Sequence, residues 1–375
     1  MRPKLAAFAA ALVLLALPQA AAAWVPPRFI GISPQSAPNE PDYALMEEAG
    51  VRSIRLPLYW SQVEPISPFL DRPEWSKFDH GVELAARHGM AVLPFVWGSP
   101  GWIEPEGGIE PVARGWQRRA WASFLRRAVL RYGPGGSFWS SNRELPYQPI
   151  RRWEIWNEPN IVTFGRANPE LFASLIRLSG RVVHGADPGA KVILGGLFGR
   201  PLQIPPNVGS GDFLSRLYRA RRVKRFFDGV ALHPYVAAAA AMRGQIRNLR
   251  RVMRLHNDAA TPLYVTELGW GSDSFESRWE RGPEGQAREL DRAFTLLARN
   301  RRSWRIGGVW WFSWADEPGS CQFCDSAGLL TDKREAKPSW YVFNAWTGGE
   351  AFGVPEASFG DPPRPAPAEV PGGTG

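Results

Sequence analysis

The apolar positions of this chain gather into eight short runs separated by helical or loop-rich stretches. The runs are Phe29–Ser33, Ser53–Leu56, Ala91–Val96, Arg152–Trp156, Lys191–Gly195, Gly229–His233, Leu263–Glu267 and Gly308–Ser313. Several are almost continuously apolar, the pattern of parallel strands buried on both faces. Helix signals lie between them. The pattern over 42–49 stops at Gly50 and that over 78–88 at Gly89, both C-terminal stop signals. Residues 116–132 place Trp116, Ala120, Phe124 and Ala128 on one face. Asn168-Pro169-Glu170 reads as an N-cap, a first-turn proline and an acidic residue near the positive helix end. Residues 284–300 form another long amphipathic run. Strands alternating with helices predict a parallel sheet. A count of eight favours closure, so the expected fold is α/β, a single (β/α)8 TIM barrel. The runner-up is a doubly wound open sheet, but no Gly-rich phosphate loop follows the first strand.

The two ends read differently. Residues 1–23 carry Arg2 and Lys4, then an apolar stretch from Leu5 to Leu17, then Ala21-Ala22-Ala23. That order predicts a secretory signal peptide cut before Trp24. The apolar stretch is short for a membrane span, and Pro18 interrupts it. No cysteine follows the leader, so no lipid anchor is expected. Residues 351–375 are rich in Pro, Gly and Ala and predict a tail without a core. The catalytic or binding body is therefore expected within 24–350, in a secreted protein with no stable membrane anchor.

Composition changes this picture little. The chain has 375 residues, 44% of them hydrophobic and 22% charged, which excludes global disorder. A formal charge of +9 raises the question of nucleic acid, but only six of the 45 basic residues are lysine. The arginine excess accompanies an alanine excess, a compositional bias. Residues such as Arg118, Arg119, Arg126, Arg127 and Arg131 recur on helical faces, where charge ordinarily meets solvent. No nucleic-acid partner is expected. The 18 tryptophans are more informative, because flat apolar rings stack on sugars.

In a barrel, chemistry sits at the C-terminal ends of the strands. The fourth run ends in Trp156-Asn157-Glu158-Pro159-Asn160 and the seventh in Thr266-Glu267-Leu268-Gly269-Trp270, so each delivers a glutamate to one mouth. Glycoside hydrolysis needs two such carboxyl groups, one protonated near neutral pH and one ionised. Asn157 and Glu158 are neighbours, and neighbours on a regular strand face opposite sides. Both can serve one site only if the strand breaks there, which Pro159 favours.

These motifs resemble those of the clan A retaining glycoside hydrolases. Within that clan the run Trp-Glu-Ile-Trp-Asn-Glu-Pro-Asn is most similar to family 39, with family 5 next. The resemblance covers about residues 28–347. It implies that Glu158 is the acid/base, Glu267 the nucleophile, and Asn157 a partner of the sugar 2-hydroxyl. It implies that Arg55 hydrogen-bonds the nucleophile and keeps it ionised, against the alternative of a structural salt bridge. It places His233 near the acid/base and Tyr235 near the nucleophile, against the alternative of satisfied core residues. A strand-eight tryptophan is expected under the sugar. Trp310, Trp311 and Trp314 compete for that role, and Trp314 is preferred as nearest the mouth. Trp60, Trp97, Trp102 and Trp270 are further mouth candidates, with core packing as the alternative.

Cys321 and Cys324 form a Cys-x-x-Cys after the eighth strand. Zinc would need two more ligands, and a redox dithiol would open a helix. Secretion favours a structural disulfide. The loop 98–115, with Trp102, Glu104, Glu106 and Glu110, is either a cover that repels anionic polysaccharides or a solvated surface loop.

The expected reaction is double displacement on an oligo- or polysaccharide, with carbohydrate as partner, no cofactor, no metal and a monomeric enzyme. The rivals are a non-catalytic carbohydrate-binding protein on the same barrel and a transglycosylase.

Overall fold

A computed structural model describes residues 25–349, apart from 68, 106–108, 201–203, 274–276 and 322. The predicted signal peptide, its cleavage point and the 351–375 tail lie outside the described residues. Eight strands, β1 (Ile30–Ile32), β2 (Ser53–Tyr59), β3 (Ala91–Trp97), β4 (Arg152–Ile155), β5 (Lys191–Phe198), β6 (Gly229–His233), β7 (Leu263–Leu268) and β8 (Ile306–Trp311), close into a barrel in sequence order. Every pairing is parallel, including β1 with β8. The fold is the predicted (β/α)8 barrel. All eight predicted runs hold a strand, with β2 and β5 running further toward the mouth than expected.

Local chemistry explains the helices between the strands. The helix Glu40–Glu48 starts at Asn39, whose side chain accepts from Asp42 N while Asp42 returns the bond. Gly50 and Gly89 follow their helices at φ +74° and +70°, the left-handed conformation expected of them. Asn168 caps the helix Pro169–Ala186, accepting from Glu170 N at 3.0 Å and Leu171 N at 2.9 Å.

The helix Gly115–Tyr132 departs from expectation. Its buried face is Gln117, Trp121, Phe124, Leu125, Ala128, Val129 and Tyr132, while Trp116 is 39% exposed. Phe124 and Ala128 belong to both stripes. Trp121 fills the larger space against Trp60 and Trp156, which turns the helix and leaves Trp116 in solvent. Nor are its arginines all solvated: Arg127 pairs with the buried carboxylate of Glu64, and Arg131 with Asp79.

Period-two alternation sets the barrel interior. Leu93, Ile193, Ala231, Tyr264 and Trp310 pack together as its apolar floor. The next inward positions toward the mouth are polar: Arg55 on β2, Glu154 on β4, His233 on β6 and Thr266 on β7, all without exposure. Among the described residues no helix is long and apolar enough to cross a membrane.

Candidate active site

The site begins where β4 stops. The strand ends at Ile155, and Trp156 and Glu158 then take φ values of +76° and +40°. Left-handed backbone at two non-glycine residues breaks the alternation. Glu158 N–H still donates to Gly196 O at 3.1 Å, which anchors the turn to β5. In consequence Asn157 and Glu158 both reach inward partners, as the break predicted before Pro159 requires.

Arg55 is the hub. Its Nε donates to Glu154 Oε2 at 2.7 Å, and its Nη2 to Glu154 Oε1 at 3.3 Å and Asn157 Oδ1 at 2.9 Å. Its Nη1 donates to Glu267 Oε1 at 2.5 Å and Ser33 Oγ at 3.4 Å. The guanidinium lies 3.9 Å from the centre of the Phe95 ring. All five N–H groups are thus engaged. Burial disfavours the charge on Arg55, but Glu154 and Glu267 outweigh that and hold its pKa above the ordinary arginine value. The predicted contact with Glu267 is present, and the structural salt bridge exists beside it, to Glu154.

Glu267 keeps 12% of its side chain exposed, toward the mouth. Tyr235 donates its hydroxyl to Glu267 Oε2 at 2.9 Å, and His233 Nδ1 lies 2.7 Å from Glu158 Oε1. Tyr235 therefore sits on Glu267 as expected, and His233 on Glu158, although its Nδ1 also lies 3.4 Å from Glu267 Oε2. Gly196 makes room for the imidazole, since a Cβ there would stand 1.9 Å from its Nε2.

Burial raises the pKa of both carboxyls. At Glu267 the charge of Arg55 and the Tyr235 hydrogen bond oppose the rise; at Glu158 the main opposition comes from His233. Burial lowers the pKa of His233, which weakens that opposition by keeping the imidazole neutral. A proton shared by the pair therefore rests on Glu158, with the charge on Glu267 beside the guanidinium. Burial and the nearby Glu267 charge raise the Tyr235 pKa, so its hydroxyl stays a donor.

One ligand atom each of Glu158, His233 and Glu267 lie within 4.8 Å of one another, the geometry of a possible cation site. The guanidinium 2.5 Å from Glu267 already supplies the cation, and His233 and Tyr235 hold the remaining inward atoms. The donor set fits acid–base chemistry better than metal ligation.

The tryptophans divide by a single step of alternation. Trp97, inward on β3 above Phe95, is partly exposed at the mouth beside Tyr59 and Phe164, as predicted. Trp60 faces the helical layer, with no exposure, stacked 5.4 Å from Phe124 and bonded through Nε1 to Glu64 Oε2 at 2.8 Å. Its neighbour Tyr59 holds the mouth position instead. Trp314 is also in the wall: 2% exposed, edge-on to Trp340, and donating to Asp42 Oδ1 at 2.9 Å. Trp310 is floor, and Trp311 faces the helix that carries Phe294. Trp270 is buried with Nε1 on Val236 O, and Trp102 donates to Glu64 O. The aromatic that turns to the site is Phe312, the residue after β8, partly exposed against Tyr235 and Phe323.

Trp97→Phe, which keeps an aromatic ring against Tyr59 and Phe164, is accordingly expected to raise KM severalfold with a smaller loss of stability than truncation to alanine. Trp314→Phe is expected to cost about 2 kcal/mol or more of stability, through the lost bond to the Asp42 carboxylate and the space left by the smaller ring, while leaving KM unchanged. Steady-state kinetics beside thermal denaturation check both.

Cys321 and Cys324 are joined, with Cα atoms 4.9 Å apart. Between them Phe323 packs 5.0 Å from the Tyr235 ring, so the bridged loop supports the wall beside Glu267. In the loop 98–115, Glu104 and Glu110 depart from both expectations, of acids that meet a ligand and of acids in solvent. Glu104 is 9% exposed, bonded to Gln117 and 3.5 Å from Arg166, and Glu110 is 1% exposed and accepts from Arg166 N at 3.1 Å. Burial pushes the Glu110 carboxyl up to about 6. These acids tie the loops after β3 and β4 together; Glu106 lies outside the described residues.

Glu154, Thr266, Ser33, Tyr59 and Phe312 were not anticipated. A charged residue at an inward strand position, as Glu154 is, signals a buried partner, and Arg55 occupies the matching depth on β2.

Fold and site together define a class, a (β/α)8 barrel with a glutamate pair at its mouth. No family model matches the sequence, and no curated protein matches it. Solved structures do match. A family 39 glycoside hydrolase from the gut symbiont Bacteroides cellulosilyticus aligns at 21% identity and TM-score 0.63, over 86% of this chain and 64% of that one. A monomeric β-xylosidase from Caulobacter crescentus aligns at 19% identity and TM-score 0.59, over 84% and 67%. A glucosidase from Croceicoccus marinus aligns at 17% and 0.63, over 86% and 67%. The chain thus has the barrel seen in solved family 39 enzymes and spans about two thirds of their length.

Proposed function

We propose that this protein is a retaining O-glycosyl hydrolase acting on an oligo- or polysaccharide. The observation that carries this reading is the carboxyl pair: Glu158 and Glu267 present oxygens within 4.8 Å of each other in unlike environments. Retention calls for carboxyl groups about 5–5.5 Å apart, whereas inversion leaves about 6.5–9.5 Å for a water. In the first step Glu267 Oε attacks the anomeric carbon, and Glu158 gives its proton to the departing glycosidic oxygen. In the second, Glu158 takes a proton from water, whose oxygen displaces Glu267. Arg55 and Tyr235 hold Glu267 in place for both steps, and Asn157, itself held by Arg55, is placed to meet a sugar hydroxyl. The predicted leader and the disulfide support action outside the cytoplasm.

The structural neighbours include a β-xylosidase and a glucosidase, so aryl β-xylosides and aryl glucosides of both anomeric configurations head the substrate panel. The test is proton NMR of the first-formed sugar, before mutarotation. The expected product keeps the anomeric configuration of the substrate. An inverted product overturns the mechanism, and a folded protein that binds a glycan without cleaving it returns the chain to the binding-module reading.

A further inference from the structure

Beneath the two carboxyls runs a second line of hydrogen bonds that the reaction above leaves unused. His233 Nε2 lies 3.0 Å from Thr266 Oγ1, and Thr266 Oγ1 donates to Glu154 Oε1 at 3.0 Å. Glu154 Oε1 also accepts from Gly196 N at 2.9 Å, and Arg55 holds both of its oxygens. Thr266, His233 and Glu154 are all fully buried, so no solvent relaxes this arrangement.

A hydroxyl has one proton to give. Thr266 gives it to Glu154, a carboxylate paired with Arg55, because two oxygen acceptors at that distance would otherwise repel. Toward His233 it can then only accept, so Nε2 carries the imidazole proton. The neutral ring consequently turns the lone pair of Nδ1 toward Glu158. We infer that Thr266 is a positioning residue that, held by Glu154, fixes the tautomer of His233 so that Nδ1 accepts a hydrogen bond from Glu158.

The inference rests on the glycosidase reading for its consequence, though not for its geometry. Acid Glu158 gains a bond to Nδ1 that its carboxylate cannot make. The leaving oxygen competes with Nδ1 for that one proton, and the carboxylate left behind faces a lone pair, which makes it the stronger base toward water. The charged and titratable groups around Glu158 are Arg55 from β2, Glu154 from β4, His233 and Tyr235 from the end of β6, and Glu267 from β7. All remain in a Thr266→Val variant, which removes only the hydroxyl. The freed imidazole can then carry its proton on Nδ1 and donate to the Glu158 carboxylate, which favours the ionised acid.

Two measurements test this, with Thr266→Ser as the conservative control. Nitrogen NMR on histidine-labelled protein reads the tautomer directly; the chain has five histidines, and His233→Asn identifies the signal. The expected wild-type pattern is a pyrrole-like Nε2 and a pyridine-like Nδ1, kept in Thr266→Ser and lost or mixed in Thr266→Val. The reverse pattern in the wild type overturns the inference. In kinetics, the alkaline limb of kcat/KM on an alkyl glycoside is expected to fall by about one pH unit in Thr266→Val and to return in Thr266→Ser. A glycoside with a good leaving group, which needs little acid help, is expected to show little shift. Coincident profiles in all three proteins overturn the inference. If the wild type cleaves no glycoside, the glycosidase reading fails and the NMR result alone decides the role of Thr266.

Discussion

Glu267→Gln is expected to lower kcat/KM by about 10⁴-fold or more, equivalent to about 5.5 kcal/mol of transition-state stabilisation, with little loss of fold. The amide oxygen of glutamine replaces Oε1 as the acceptor for Arg55. Its NH2 group meets the Tyr235 oxygen, which can accept in place of donating. The site is expected to keep its shape and, on the proposed function, its affinity for sugar. What it loses is the anionic oxygen proposed to attack the anomeric carbon, and an amide does not form a glycosyl ester. The measurement is turnover of an activated aryl glycoside, beside thermal denaturation and binding of the product sugar. Activity within tenfold of the wild type would sink the assignment of Glu267 as nucleophile. Glu158 behaves differently in the same assay. An activated aryl group departs without a proton, so loss of the acid is felt chiefly with poor leaving groups, and there by about 10²–10⁴-fold.

The barrel and its reactive pair were legible in the sequence because each rests on a local rule. Parallel strands buried on both faces leave apolar runs, and glycines or Asn-Pro pairs punctuate the helices between them. All eight strands and the Gly50, Gly89 and Asn168 signals follow from that. Strand ends point to one mouth, so Glu158, Glu267, His233 and Tyr235 gather by position, while Arg55, the third residue of β2, reaches the site from deeper in the barrel. The errors arise where one residue of register decides the outcome. Trp60 and Tyr59 are neighbours, yet one meets the helices and the other the mouth. After β8 the chain leaves the regular alternation, so nearness to the mouth picked Trp314, while Phe312 turns to the site. Glu104 and Glu110 misled for another reason. A loop acid is ordinarily solvated, and here partners distant in sequence, Gln117 and Arg166 for Glu104 and the Arg166 N–H for Glu110, support the burial. Glu154 and Thr266 are not legible in the sequence, because their partners are set by depth in the barrel, a property of strand register and tilt that one sequence does not display.

The largest expected effect on stability is that of Arg55→Met. Methionine fills much of the volume but leaves Glu154 without either of its guanidinium contacts and Glu267 without its short one. Removing one partner of a buried ion pair costs about 3–5 kcal/mol, mostly because the other charge stays behind. Arg55→Met alone would therefore lose stability and activity together, and that result would not distinguish a scaffold from a catalytic partner. The double variant Arg55→Met with Glu154→Gln does. A neutral amide at 154 can still accept from Gly196 N and Thr266 without carrying an uncompensated charge. It is expected to recover most of the lost stability, a coupling of about 2–3 kcal/mol read from urea denaturation of the four proteins in the cycle. Activity is expected to remain low in the double variant. Without the guanidinium, burial disfavours ionised Glu267 with only the Tyr235 hydrogen bond left to oppose it, and the proton shared by the pair no longer has a preferred side. Recovery of both stability and turnover would mean that Arg55 serves only to neutralise Glu154. Recovery of stability alone assigns it a second task, the one on which the reaction depends: holding the negative charge on Glu267 so that the proton stays on Glu158.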